Sequence, residues 1–424
     1  MKKLRVIPLV VMLAFLCSCS VLANDDRLVI WSFTDEAVYA VDKFKEQYPD
    51  IDIRYVQIPG SQYESKARAV LQTGVNAPDV FLIEKSVLPK LIDLKQLENL
   101  SNAPYNAEEI TNEQYDYVAA ASKDADGNVK ALGYQGTPGG IYYRRDLTEK
   151  YLGTQDPVEI TKMMADWESV MEVSESIYEK SEGEVYGFTN WNNLNTIQIG
   201  NVKKPWVKDG KLVIDPARLE ILDLIDEAHA RNVVKRIRNG SPAGTAAMQN
   251  GTVAFFPGAT WGLQYTFKNN APDTEGKWGL ASPPHAFSAG GTFLAMYSGS
   301  EKKENAWKFI KFYAGDDQFL KQLATDQEYF VSNREVNAYM AEKTNATGSP
   351  FLAGQNYFEF FANEGDRVYP LEETKYDSTI SPIFTDTVQL YVDGSIQTHE
   401  DVVKRFKRDV KLYYPDLDVE GAGE

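Results

Sequence analysis

The stretch from Arg27 to Glu84 constrains the fold most, because it reads strand, helix, strand, helix, strand. Leu28–Trp31 is a short apolar run that stops at a polar loop, Ser32–Glu36. Ala37, Val41, Phe44 and Tyr48 then recur at spacings of four and three, one face of an amphipathic helix. Pro49 ends it, since the residue before a proline resists the helical region. Ile51, Ile53 and Tyr55 alternate with charged residues as a second strand. Tyr63–Thr73 predicts another helix with Gly74 as its C-terminal cap. Asp79–Ile83 is a third apolar strand, ending on Glu84. Alternating strands and helices imply a parallel sheet, and open parallel sheets bind ligands beyond the carboxyl ends of their strands. Those ends carry Trp31 to Phe33, Ile58 to Tyr63, and Glu84, so this stretch is expected to form one wall of a ligand cleft.

A chain of 424 residues exceeds what one core usually fills, so at least two domains are expected. Its first residues read as a targeting segment. Lys2, Lys3 and Arg5 precede an apolar run, Ile7–Leu16, too short to span a membrane. Leu16-Cys17-Ser18-Cys19 resembles a bacterial lipoprotein box with Cys19 as the lipidated residue. The competing reading is ordinary cleavage after Val21-Leu22-Ala23; both make the chain an exported protein, with residues 1–23 as signal and tether. These are the only two cysteines, so the mature domains must hold together through their own cores. A formal net charge of −17 argues against nucleic acid and against a basic membrane-docking face. A small neutral or weakly polar ligand fits better.

Further along, Val87, Leu91 and Leu94 suggest a helix broken by Pro89, and Ile110–Ala121 has a weak helical pattern. Asp124, Asp126 and Asn128 invite a calcium-loop reading, but the spacing is too short and no terminal glutamate follows; a hairpin turn is expected instead. Gly133–Gly140, rich in glycine and proline, lacks the lysine and Ser/Thr of a phosphate-cradling loop and predicts a crossover between domains. Residues 160–180 predict one helix, and Tyr186–Thr189 a strand whose end exposes Trp191 among three asparagines. The buried run Val253–Phe256 ends in Pro257–Gly262, which carries Trp261. Trp278–Pro284 leads to a second crossing at the prolines and His285, and Tyr329–Asn333 makes a third. The remainder is helical, with Ile380–Tyr391 and Thr398–Leu412 clearest.

In order along the chain come Phe44-Lys45-Glu46-Gln47-Tyr48-Pro49, Leu71-Gln72-Thr73-Gly74 running to Asp79-Val80, Ala131-Leu132-Gly133 and Tyr142-Tyr143-Arg144. Trp167-Glu168, Tyr186-Gly187-Phe188, Pro257–Trp261, Gly290-Gly291 and Ala306–Phe312 follow. Together, behind a lipoprotein-like signal, these resemble the family 1 extracellular solute-binding proteins of bacterial ABC importers, most of which bind sugars. The resemblance implies an α/β, two-lobed periplasmic-binding-protein-like fold of type II, with three hinge crossings and the ligand cleft between the lobes. One lobe would hold 25–135 plus 289–330, the other 136–288 plus 331–424. It implies a monomer that captures a carbohydrate by lobe closure and delivers it to permease subunits, touching the membrane through its lipid only.

Flat aromatic faces stack on sugar rings while polar groups bond the hydroxyls. The candidate contacts are Trp31, Phe33, Tyr63 and Glu84 on one jaw, Trp191 and Trp261 on the other, and Gln135, Gly290, Gly291 and Tyr329 at the crossings. Asn333 and Arg334 flank the third crossing, while Trp167 and Trp307 lie on helical core faces. No cofactor or metal is expected. The rival classes are a glycan hydrolase or lyase, a binder of polyamine, phosphodiester or metal, and a lipoprotein sensor. A hydrolase needs two facing carboxylates, but there is no G-x-S-x-G or H-E-x-x-H, and His229, His285 and His399 are scattered.

Overall fold

The computed structural model describes residues 26–420; the expected signal segment and Cys19 lie outside them. Two open sheets organise the chain. The first holds β1 (Leu28–Ser32), β2 (Ile53–Gln57), β3 (Val80–Glu84), β4 (Ala131–Gly133) and a late arrival, β10 (Thr292–Met296). Its order is β2-β1-β3-β10-β4. β1 pairs parallel with β2 and β3, as the alternation predicts, whereas β10 runs antiparallel between β3 and β4. β10 is buried throughout and β3 all but its last residue, the pattern of strands covered on both faces.

The helices that cover this sheet follow from local chemistry. Val38–Gln47 buries Ala40, Val41 and Phe44, and Tyr48 folds back on Phe44 with ring centroids 4.6 Å apart. Gly60–Thr73 stops at Gly74, whose φ of 70° makes the left-handed cap. Lys303–Gly315 presents Phe309, Phe312 and Tyr313 to the same core.

The second sheet is smaller and antiparallel, order β8-β5-β9, from β5 (Gly139–Arg144), β8 (Phe255–Ala259) and β9 (Trp278–Ala281). Two more strands, β6 (Val207–Lys208) and β7 (Lys211–Leu212), form a separate hairpin. The helix expected over 160–180 is two, Pro157–Met163 and Trp167–Lys180, because Asp166 restarts it by accepting the Ser169 N–H at 2.8 Å. The 124–128 segment is a turn: Asp124 Oδ1 accepts from the backbone N–H of Asp126 and of Asn128, and Lys123 bridges Val129.

Three crossings join the sheets and lie side by side. The first is the middle one. On one flank Gly136 N–H donates to Phe330 O (3.2 Å) and Ser332 N–H to Tyr134 O (3.0 Å). On the other, Gly139 N–H donates to Phe287 O (2.7 Å) and Ala289 N–H to Thr137 O (3.1 Å). The second crossing therefore sits at 286–291, a few residues after the prolines where the sequence places it. The spacing demands glycine. A Cβ on Gly139 would stand 2.1 Å from the Phe287 ring, and one on Gly136 would stand 2.7 Å from Val331 O.

Candidate functional site

The loops beyond β1, β2 and β3 face the segment that follows β8. Trp31 is half-buried with its ring edge-on to Phe81 at 6.0 Å, and Phe33 stands edge-on to Tyr63 at 6.0 Å. Tyr63 itself is only 2% exposed, and its hydroxyl donates to Trp31 O at 3.4 Å. It supports Phe33 from beneath. Glu84 accepts the Ser86 backbone N–H at 2.9 Å, so its carboxylate closes the turn after β3.

Opposite them, Trp261 is half-buried and its indole N–H donates to Ala289 O on the second crossing at 2.8 Å. Gly290, at φ 73°, leaves room for that ring: a Cβ there would lie 3.2 Å from Trp261 Nε1. Gly291 has φ 114°, and its carbonyl receives the Lys85 N–H at 2.8 Å. Tyr265, one turn beyond Trp261, is half-exposed. Burial, then the charges of Glu36 and Asp35 in the loop after β1, raise its hydroxyl pKa.

Sequence reasoning overlooks Glu36. Its carboxylate accepts the Thr292 hydroxyl at 2.8 Å, and burial pushes its pKa up against the lowering effect of that bond and of the nearby Tyr134 and Thr34 hydroxyls. Around it lie one aromatic from each of two crossings, Tyr134 and Tyr329, their rings stacked at 6.0 Å. Both hydroxyls are buried and neither has a hydrogen-bond partner. Gln135 is buried beside them and bridges Val331. Asn333 caps the helix Arg334–Thr344, and Arg334 pairs with Asp116 and Asp366, so both serve the fold locally.

Trp191 requires a correction. It is 5% exposed and belongs to the core of the second lobe, with its indole N–H on Gln389 Oε1 at 2.9 Å. Two of the three neighbouring asparagines spend their side chains on the backbone. Asn190 Oδ1 caps the helix Trp191–Gln198 through Asn192 N–H at 2.9 Å, and Asn193 Oδ1 accepts the Thr189 N–H at 3.1 Å. Capping turns the ring inward.

A cavity of about 220 Å³ lies between the lobes, against the second crossing at Ala286–Ser288. Lys85 and Tyr117 reach it from the first lobe; Trp206, Arg218, Ser381 and Phe384 line it from the second. Lys85 Nζ stands 3.5 Å from Glu373 across its mouth. The Arg218 guanidinium stacks on Trp206 at 3.9 Å, and burial pulls its pKa down to about 10 despite the nearby charges of Asp377, Asp215 and Glu373. None of the residues singled out from sequence lines this cavity. Arg218 sits in the first turn of a helix behind Asp215-Pro216, where sequence reads as an ordinary surface charge.

A family model described as bacterial extracellular solute-binding protein matches residues 39–349. The crystal structure of a family 1 extracellular solute-binding protein superposes with a TM-score of 0.80 at 20% identity, over 91% of this chain and 99% of that one. The sugar-binding protein MalE from Xanthomonas citri gives 0.73 at 18% identity, over 91% and 96%. The galacto-N-biose/lacto-N-biose I-binding protein from Bifidobacterium longum, solved with lacto-N-biose, gives 0.71 at 16%, over 92% and 98%. These likenesses carry the two-lobed periplasmic-binding-protein architecture. With the family model spanning most of its length, the chain belongs to the bacterial extracellular solute-binding proteins.

Proposed function

We propose that this protein is an exported lipoprotein, anchored through Cys19, that captures a sugar or oligosaccharide between its lobes and hands it to the permease of an ABC importer. One observation carries the reading most. Half-buried Trp31 and Phe33 on one side of the opening, and half-buried Trp261 with the more exposed Tyr265 on the other, stand among backbone and carboxylate groups around Gly290, Gly291 and Glu84. That mixture suits a ring with apolar faces and a polar rim. Lobes of 25–135 plus 289–330 and 136–288 plus 331–424 would close about the three crossings, the ligand binding the closed form better and shifting the population toward it. The protein acts as a monomer, binding without catalysis.

The test is a thermal-shift screen against mono- and oligosaccharides, with spermidine and a glycerophosphodiester as competitors for the reading. A ligand at a hundredfold excess over its Kd adds about 2.7 kcal/mol to the native state. Small-angle scattering with the best ligand should show compaction. A shift with spermidine or the phosphodiester and none with any saccharide sinks the sugar assignment; new reducing ends after incubation with glycans would make the protein an enzyme.

A further inference from the structure

We propose that the cavity against the second crossing seats one neutral sugar unit of the ligand, with the Arg218 Nε–H donating to a sugar oxygen; this rests on the saccharide reading above. The polar groups of the cavity divide into those already used and those still free. Gln198 is used: its Oε1 accepts the Trp167 indole N–H at 2.7 Å, and its Nε2 donates to Ala217 O and Glu220. Asp377 is used as well, accepting Trp206 N–H at 3.0 Å and the Thr374 backbone and hydroxyl groups at 2.8 and 2.5 Å.

Arg218 is different. Its side chain is 9% exposed, yet Nε is buried without a partner, and its hydrogen bond to Lys204 O (3.2 Å) comes from Nη2. Trp206 covers one face of the guanidinium, and Arg218 is among the residues that line the cavity. A buried N–H left unpaired is costly, and a bound oxygen would remove that cost. Ser381 accepts the Trp206 indole N–H at 2.8 Å and keeps its own O–H to offer beside Arg218. Trp206, Phe287 and Phe384 supply apolar walls for the C–H faces of a ring.

Charge then selects among saccharides. Each cation at the cavity already has an acid: Arg218 Nη2 is 3.9 Å from Asp377, and Lys85 is 3.5 Å from Glu373. A uronate or sialate carboxylate would enter a site with no net positive charge and lose its water there. A neutral sugar offers acceptor oxygens without that penalty.

The experiment is calorimetry on the full mature protein with maltose, β-1,6-galactobiose, lacto-N-biose and digalacturonate as probes. Wild type should bind at least one neutral probe and bind digalacturonate tenfold more weakly or not at all. Arg218→Met, which keeps length and stacking but cannot donate, should weaken the neutral probe about tenfold or more; it also removes the cation 3.9 Å from buried Asp377, so its unliganded melting temperature should fall and affinity is measured well below it. Thr385→Leu narrows the cavity without touching Arg218 and should weaken the same probe, which covers the case of an Arg218 variant that fails to fold. Unchanged affinity in both variants, or digalacturonate as the tighter ligand, overturns the proposal and leaves the saccharide reading standing. Wild type that binds none of the four probes and no saccharide of the thermal-shift screen overturns the saccharide reading with it.

Discussion

Lys268 Nζ lies 2.5 Å from a carboxylate oxygen of Glu328, tying the helical turn after Trp261 to the residue just ahead of the third crossing. Gln264 Nε2 adds a second donor to Glu328 at 3.3 Å. Across the opening, Lys85 and Glu373 make a matching link. Both pairs are partly exposed, and such pairs contribute about 0.2–1 kcal/mol each. Lys268→Met should therefore weaken ligand binding about two- to fivefold by favouring the open form. Titration at low and high salt checks it: wild type should lose the difference as salt rises, and a variant indistinguishable from wild type at low salt would remove the link from the closure.

Gly139→Ala tests the stacked crossings. The added methyl meets the Phe287 ring at 2.1 Å in a segment pinned on both flanks. Overpacking of this kind costs about 1–3 kcal/mol. Gly60, where an added methyl would find nothing within 4 Å, is the control and should tolerate alanine. Urea denaturation of the pair reads the contrast directly.

Glu36 makes stability depend on pH. Its folded pKa is raised by burial above the usual 4.5, so the native state binds the proton more tightly than the unfolded chain. That contribution is fully present below about 4.5 and is lost as pH rises from there through the folded pKa. Asp377 and Glu364 are raised by burial too, so the quantity to measure is the difference between wild type and Glu36→Gln. The variant should gain on wild type as pH rises across this window; parallel curves would mean that folding leaves the Glu36 pKa unshifted.

Trp191 and Trp261 should separate under mutation. Trp191→Ala empties a core position and should cost about 3–5 kcal/mol of stability. Trp261→Ala should leave the fold intact and weaken saccharide binding about tenfold. Paired melting curves and binding isotherms make the comparison, and an equal loss of stability in both would place Trp261 in the core.

What can be read from the chain is what local chemistry decides. The helix face Ala40, Val41 and Phe44, the Gly74 cap and the parallel set β1 to β3 depend on spacing within a few residues. The antiparallel pairing of β5 with β8 and β9 depends on partners more than a hundred residues away, and periodicity carries no address. Trp191 misleads for the same reason. Its asparagine neighbours suggest an exposed ring, while its partner Gln389 lies on a helix near the other end of the chain. Arg218 becomes visible only once Trp206, Phe287 and Lys85 are brought around it.

The strand order has a consequence for how the protein is made. β4 takes its neighbour from β10, which is synthesised only after β5, β8 and β9. Until β10 arrives, the ladder edges of β3 and β4 that it will occupy are unpaired. The first sheet therefore cannot be completed while the middle of the chain is still emerging from the ribosome. Such long-range pairing slows folding, which leaves the nascent chain a long interval as a loose polymer. Export of the chain before it folds would be served by that delay.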